Sequence, residues 1–344
     1  MQIQLAGVPG GGSSGECKRE RELNSLWTKR LWSYYWLIKD SGKMTTQKKV
    51  DLFLDSGAFS AWSQKQPIDI QEYIAFIKEH EKVIDHYANL DVIGDAAGTW
   101  ENQMIMEEAG VSPLPTFHYG EDIKWLERYL RKGYDYLCLG GMVPISTKDL
   151  KFWLDDLFSN YLCDEKGMPK MKIHGFGLTS LPLMMRYPWY SVDSTSWVVT
   201  GRMGSVYVPR KKAGEWIYNE NSWKIAVSNQ SPNKKEAGAH IDTMSPGEKQ
   251  VILDYFEEKG YKLGKSEFRM ASQKYTLKEN EKWAQKKPTN KAEKRRVELL
   301  IEDGISNRYQ LRDELNIIYF LDLEKALPEW PWAFKLKNKQ HGFF

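Results

Sequence analysis

Eight short apolar runs, rich in β-branched and aromatic residues, punctuate the first 210 residues and are separated by longer amphipathic stretches. They are QIQLAG (2–7), VDLFLDSG (50–57), VIDHYANLD (83–91), PLPTFHYG (113–120), DYLCLGG (135–141), MKIHGFG (171–177), WYSVDS (189–194) and GSVYVP (204–209). This rhythm is the signature of successive βα units. Eight strands alternating with helices predict a (β/α)8 TIM barrel in preference to an open doubly wound sheet. Helix starts are marked by Asp69 before 70–82, Thr99 before 100–110, Glu121 before 122–133, and Ser146 or Thr147 before 148–162. Several of these residues are of the type that caps a helix, and several of the stretches end near a glycine.

After about residue 210 the rhythm breaks. EWIYNENSWKIAV (215–227) reads as a hairpin turning around 219–221, and SPNKKEAGAH (231–240) as a polar loop. PGEKQVILDYFEEKGY (246–261) suits a last barrel helix, and 291–326 an added helical subdomain. The expected organisation is a barrel over 1–270, with a hairpin and loop insertion at about 210–245, followed by a helical extension over 271–344.

At 344 residues and 41% hydrophobic content the chain can bury a sizeable core. No run approaches the ~20 apolar residues that cross a bilayer, and MQIQLAGVPGGG lacks the regions of a signal peptide. The expectation is a cytoplasmic protein with no membrane partner. Cys17, Cys138 and Cys163 are unclustered, which indicates neither a disulfide framework nor a thiolate zinc site. The net charge of +3 is uneven: PRKK (209–212) and KKPTNKAEKRR (286–296) are basic stripes that could meet phosphates or simply face water.

In a barrel the loops leaving the carboxyl ends of the strands form the active face. Polar residues recur there: Asp55 and Ser56 end the second run, Asn89 and Asp91 the third, His118 and Tyr119 the fourth. Gly140 and Gly141 end the fifth run, His174, Gly175 and Gly177 the sixth, and Asp193 the seventh. Carboxylates converging on one mouth separate their pKa values into acid and base roles. An aminopyrimidine edge suits the set, because carboxylates accept from its N–H groups while backbone N–H groups at the glycines donate to its carbonyl. Taken locally, Asp193 reads as the cap of a short helix at 194–197 and Asp55 as a turn aspartate. Asp95 reads as a helix cap, and His118 and His174 are as readily structural as catalytic.

The same residues carry a resemblance. LDSGAFS resembles the DSGGFQ segment of tRNA-guanine transglycosylases, LGGM (139–142) their GGLA segment, and HGFG followed by VDSTSWVVTGRMG their MGVG and FDCVLPTRxGRxG segments, in the same order. LDSGAFSAW, YANLDVIGD, FHYGED, LGGMVP and RYPWYSVDSTSW look closer still to the bacteriophage branch of that superfamily, the DpdA-like 7-deazaguanine DNA transglycosylases. The likeness covers roughly residues 50–204.

That resemblance implies a TIM barrel that exchanges guanine in DNA for a 7-deazaguanine of the preQ0 type, without a cofactor. By its motifs Asp193 matches the nucleophile that attacks C1′, and Asp55 the residue of proton transfer. Asp91 matches the residue that holds the aminopyrimidinone edge, with Ser56, Asn89 and Met142 beside the base, and Gly140 and Gly141 match the backbone contact. His118 and Tyr119 stand where the family has Gln-Gly, leaving open which of them faces the base. The family's zinc ligands have no counterpart, so no metal is expected and tRNA is the weaker substrate. Arg202, Arg210, Lys211 and Lys212 follow the nucleophile, where phosphates of a flipped or single-stranded nucleotide would lie. The competing readings are exchange in tRNA, a non-catalytic nucleic-acid- or nucleobase-binding barrel, and a glycosidase.

Overall fold

The computed structural model describes residues 1–7, 29–39, 50–231, 238–290 and 293–335. Cys17 and the centre of the 286–296 basic stripe lie outside them. The chain divides into two compact units, Met1–Ser196 with Leu321–Phe344, and Trp197–Phe320. This division falls well before residue 270.

The first unit is built on an eight-stranded parallel sheet of TIM-like order. Its strands are β1 (Gln2–Ala6), β2 (Lys29–Ser33), β3 (Asp51–Asp55), β4 (His86–Tyr87), β5 (Thr116–His118), β6 (Tyr136–Gly140), β7 (Lys172–Gly175) and β8 (Ser191–Ser194). The order across the sheet is β4-β3-β2-β1-β8-β7-β6-β5. Next to its two end strands Ala88 pairs in parallel with Leu114. That bridge is made by Leu114 N–H to Tyr87 O at 2.8 Å and Asn89 N–H to Leu114 O at 3.0 Å.

Two expectations about the strands fail. KRLWS (29–33) forms β2, paired with both β1 and β3, so every later strand moves up by one and Asp193 stands on the eighth. Its opening Lys29 and Arg30 disguised it, yet Arg30 is fully buried, its guanidinium 5.0 Å from the centre of the Trp32 ring. GSVYVP does not join the parallel sheet. Its strand β9 (Ser205–Val208) pairs antiparallel with a later strand of the second unit.

Helices follow most strands: α1 (Tyr34–Lys39), α2 (Ala58–Ser63), α3 (Ile70–Glu79), α4 (Ala96–Glu108), α5 (Ile123–Lys132), α6 (Thr147–Leu157), α7 (Leu181–Arg186) and α8 (Ser196–Arg202). The carboxylate of Asp69 accepts the N–H groups of Gln71 and Glu72, fixing the start of α3, and Tyr73, Ile74, Phe76 and Ile77 at helical spacing turn inward. Each such side chain contributes about 1.5–3 kcal/mol by leaving water. Asp95, not Thr99, caps α4, and Asp122, not Glu121, caps α5. Ser146 caps α6 as expected. Leu52 and Leu54 of β3 meet these helices, whereas Phe53 joins Ala6, Leu31, Ala88, Tyr136 and Cys138 in a separate interior cluster. Alternation along a strand thus supplies both faces of the sheet.

In the second unit β10 (Arg210–Lys212) pairs with β11 (Glu215–Ile217), and β12 (Trp223–Ala226) with β9. The 215–227 segment therefore contributes to two different pairs instead of closing on itself as a hairpin. Pro246–Glu258 forms α9, its start held by reciprocal bonds between Ser245 and Glu248. Its Ile252, Tyr255 and Phe256 pack with Val206, Val208 and Ile225 of this unit, so it is not a barrel helix. The extension expected to be helical carries a three-stranded antiparallel sheet, β13 (Lys265–Ala271), β15 (Arg295–Glu302) and β14 (Glu281–Trp283), before α10 (Tyr309–Ala326). RRVELLIE falls in the 291–326 segment expected to be helical, but it is the central strand of this sheet, with Val297 buried. Among the described residues no helix is long and apolar enough to cross a membrane.

Candidate active site

Asp55, Asp91 and Asp193 leave the carboxyl ends of β3, the β4 segment and β8, and their charges act on one another. Burial first, then the charges of Asp91 and Asp193, push the Asp55 carboxyl up to about 8, against the opposing backbone N–H groups of Gly57 and Ser56. Burial and the same three carboxylates push up the thiol of Cys138, in the interior cluster of the sheet. Asp55 therefore keeps its proton at neutral pH, the state that a general acid requires.

The anionic side is braced by a continuous hydrogen-bonded chain. Ser56 Oγ–H donates to Asp91 Oδ1 at 3.0 Å, and His118 Nε2 lies 3.0 Å from Asp91 Oδ2. His118 Nδ1 is 3.0 Å from Glu121 Oε1, and the other oxygen of Glu121 accepts the His118 backbone N–H at 3.0 Å. Burial opposes charge on this ring, but bonds to Asp91 and Glu121 outweigh it and raise its pKa to about 10. An imidazolium held between two carboxylates is therefore the resting form. Both oxygens of Asp91 are engaged, but each keeps a lone pair for another donor.

His118, not Tyr119, faces the carboxylates. The Tyr119 ring meets Trp153 edge-on with centroids 5.3 Å apart, and its backbone N–H donates to Gly140 O. Gly140 is required by that neighbour, since a Cβ here would stand 2.7 Å from His118 Cδ2. Gly141 turns the chain out of β6 at φ +67°, and Met142 is buried behind it. Asn89 is wholly buried, and neither amide atom finds a partner among the described residues.

Asp193 does not act as a helix cap. Its Oδ1 accepts the N–H of Gly177 at 2.6 Å, with Gly177 at φ +66°, while Ser194 Oγ accepts the Ser196 N–H at the start of α8. The Asp193 side chain is buried but for 9% of its surface.

The basic residues expected beside the nucleophile fall apart from it in the chain's division, Arg202, Arg210, Lys211 and Lys212 all belonging to the second unit. The Arg210 guanidinium stacks 3.9 Å from the Trp223 centroid, Lys211 lies over Trp216, and Lys212 pairs with Glu220. Arg295 over Trp283 and Arg296 over Phe268 repeat the arrangement on the three-stranded sheet. Glu121 was missed as a site residue because its position before an amphipathic run suggested a cap. The signal was its spacing of three from His118. No family model, no curated protein and no solved structure matches the chain.

Proposed function

We propose that the first unit is a closed (β/α)8 barrel whose mouth exchanges guanine in DNA for a 7-deazaguanine base of the preQ0 type, in the manner of phage DNA hypermodification. The observation that carries the reading is the raised pKa of Asp55 beside Asp91 and Asp193. It fits a mechanism in which a carboxylate attacks and a neighbouring neutral carboxyl supplies the proton. The Ala88–Leu114 bridge supports closure.

In the first step an oxygen of Asp193 attacks C1′ of a 2′-deoxyguanosine taken out of the stack, and the C1′–N9 bond breaks as Asp55 gives its proton to the departing base. In the second, N9 of the incoming base attacks C1′, the ester bond to Asp193 breaks, and the N9 proton returns to Asp55. Proton and nucleophile are both restored, so no nucleotide cofactor is consumed. Asp91, fixed by Ser56 and His118, accepts from the amino and ring N–H groups of the base, and Asn89 offers an unpaired amide. The exposed Lys211 and Lys212, with Arg202 and Arg210, are the candidates for phosphate contacts.

One assay tests this reading. The protein is incubated with guanine-containing DNA or with tRNA and a labelled 7-deazaguanine, beside the Asp193→Ala variant. Label entering DNA only with intact Asp193 is expected. Label only in tRNA overturns the substrate, label that persists without Asp193 overturns the mechanism, and binding without label in either polymer indicates a non-catalytic barrel.

A further inference from the structure

Behind the candidate nucleophile runs a buried chain of side chains that the base-exchange roles leave unused. Tyr136 Oη and Ser191 Oγ are 2.6 Å apart, and Ser191 Oγ is 2.6 Å from His174 Nδ1. His174 Nε2 then lies 3.5 Å from Asp193 Oδ1, too long for a hydrogen bond, and has no other partner among the described residues. The histidine is fully buried. Phe53 stacks on its ring at 4.5 Å and Phe176 meets it edge-on at 4.6 Å, so the ring is clamped and cannot swing away.

The chain has a preferred direction. Burial pushes the Tyr136 phenol well above its usual range, so it keeps its proton and can donate to Ser191. Ser191 then donates to Nδ1, which leaves the ring proton on Nε2, facing a carboxylate. The reverse direction would point a nitrogen lone pair at the anion with nothing between them, an unfavourable contact in a buried place. Ser191 and Asp193 share one face of β8, two residues apart, so the strand itself aligns the serine on one side of the His174 ring with the carboxylate on the other.

We infer that His174 is a positioning residue for Asp193: the Gly177 N–H binds Oδ1 at 2.6 Å and His174 Nε2 faces the same oxygen at 3.5 Å, so that Oδ2 is the oxygen presented to the electrophile. The inference rests on the proposed role of Asp193 as nucleophile. Orientation of this kind is worth up to about 100-fold in rate when it is lost.

Two isosteres separate the two ring nitrogens. His174→Gln keeps an N–H near the Nε2 position, whereas His174→Asn keeps one near Nδ1 only. Guanine release is followed in a single turnover with full-length protein and guanine-containing DNA. His174→Asn and Ser191→Ala are expected to slow it about 10- to 100-fold with the KM for free base unchanged, and His174→Gln to recover most of the rate. Equal losses in the two isosteres, or a loss confined to KM, overturns the inference. Nitrogen-15 NMR of histidine-labelled protein decides independently of activity. A proton on Nε2 of His174 is expected, and a neutral ring protonated at Nδ1 alone overturns the relay. Protein that releases guanine from neither DNA nor tRNA refutes base exchange, while the ring's tautomer still judges the hydrogen-bonded chain.

Discussion

His118 Nε2 and Asp91 Oδ2 stand 3.0 Å apart at the carboxyl end of a parallel sheet that carries three aspartates, and that contact, with Glu121 on the other nitrogen, favours the charged ring. Burial and the charges of Asp91 and Asp193, rather than this ring, raise the pKa of the Asp55 carboxyl.

The pairing has a stability signature. The folded-state pKa of His118, about 10, lies above its unfolded value near 6.5, so the stabilisation is complete below about pH 6.5 and is lost as pH rises toward 10. A tenfold gain in proton affinity on folding corresponds to about 1.4 kcal/mol. Thermal melting between pH 6.5 and 10 should show the decline, and His118→Gln should flatten it. Identical slopes for the two proteins would count against a charged His118.

Gly140 makes room for that ring, so Gly140→Ala should cost about 1–3 kcal/mol and loosen the His118–Asp91 contact, the added Cβ standing 2.7 Å from Cδ2. Gly247→Ala, with no atom within 4 Å of the added carbon, is the control and should be neutral or stabilise α9 by up to about 1 kcal/mol. Denaturant midpoints of the two variants give the comparison, and equal behaviour would refute the steric role.

Asp55 gives a kinetic prediction. With its pKa at about 8, the group carries its proton at neutral pH and loses it above that value. Guanine release, if Asp55 is the acid, should be level up to about pH 8 and then fall about tenfold for each further pH unit. Asp55→Asn should lower it by about 100-fold or more. An alkaline limb that persists in Asp55→Asn would assign it to another group.

The sheet is largely legible because parallel strands buried on both faces read as short, nearly continuous apolar runs between amphipathic stretches. The eighth strand was assigned to the wrong segment since a buried arginine cannot be told from an exposed one in a linear string: KRLWS reads as polar, yet Arg30 is inside. GSVYVP has the composition of a strand, but composition does not name its partner. Asp55, Asp91 and Asp193 are legible only from strand-end position taken together with the motif resemblance, since locally Asp193 reads as a cap and Asp55 as a turn residue. The Tyr136–Ser191–His174 chain is not legible, because it depends on contacts between residues 17 and 55 apart, whereas Glu121 reads as a helix start although it lies three residues from His118.

The cations of the second unit supply a test of polymer binding. Lys211 and Lys212 are exposed on the β10–β11 ribbon and partly engaged by Trp216 and Glu220. Each lost phosphate contact lowers the slope of log affinity against log salt by about 0.9 for duplex DNA. Lys211→Glu with Lys212→Glu should therefore reduce that slope by about 2, with base exchange on a short oligonucleotide less affected. An unchanged slope would remove this ribbon from the nucleic-acid surface.

Asn89 sets stability against recognition. A buried amide without a partner costs about 1–3 kcal/mol in the free protein, and Asn89 has both of its polar side-chain atoms in that state. Leucine is close in size and has nothing to satisfy, so Asn89→Leu should raise the melting temperature or leave it unchanged. If the amide is reserved for the base, the same variant should bind free 7-deazaguanine about tenfold or more weakly, since one hydrogen bond to a neutral partner is worth about 1 kcal/mol and the partner's unmet group adds to the loss. Calorimetric titration of the base and a thermal melt give both quantities from one preparation. A large fall in melting temperature with unaltered base affinity would make Asn89 a structural residue and would narrow the recognition set to Asp91, Ser56 and His118.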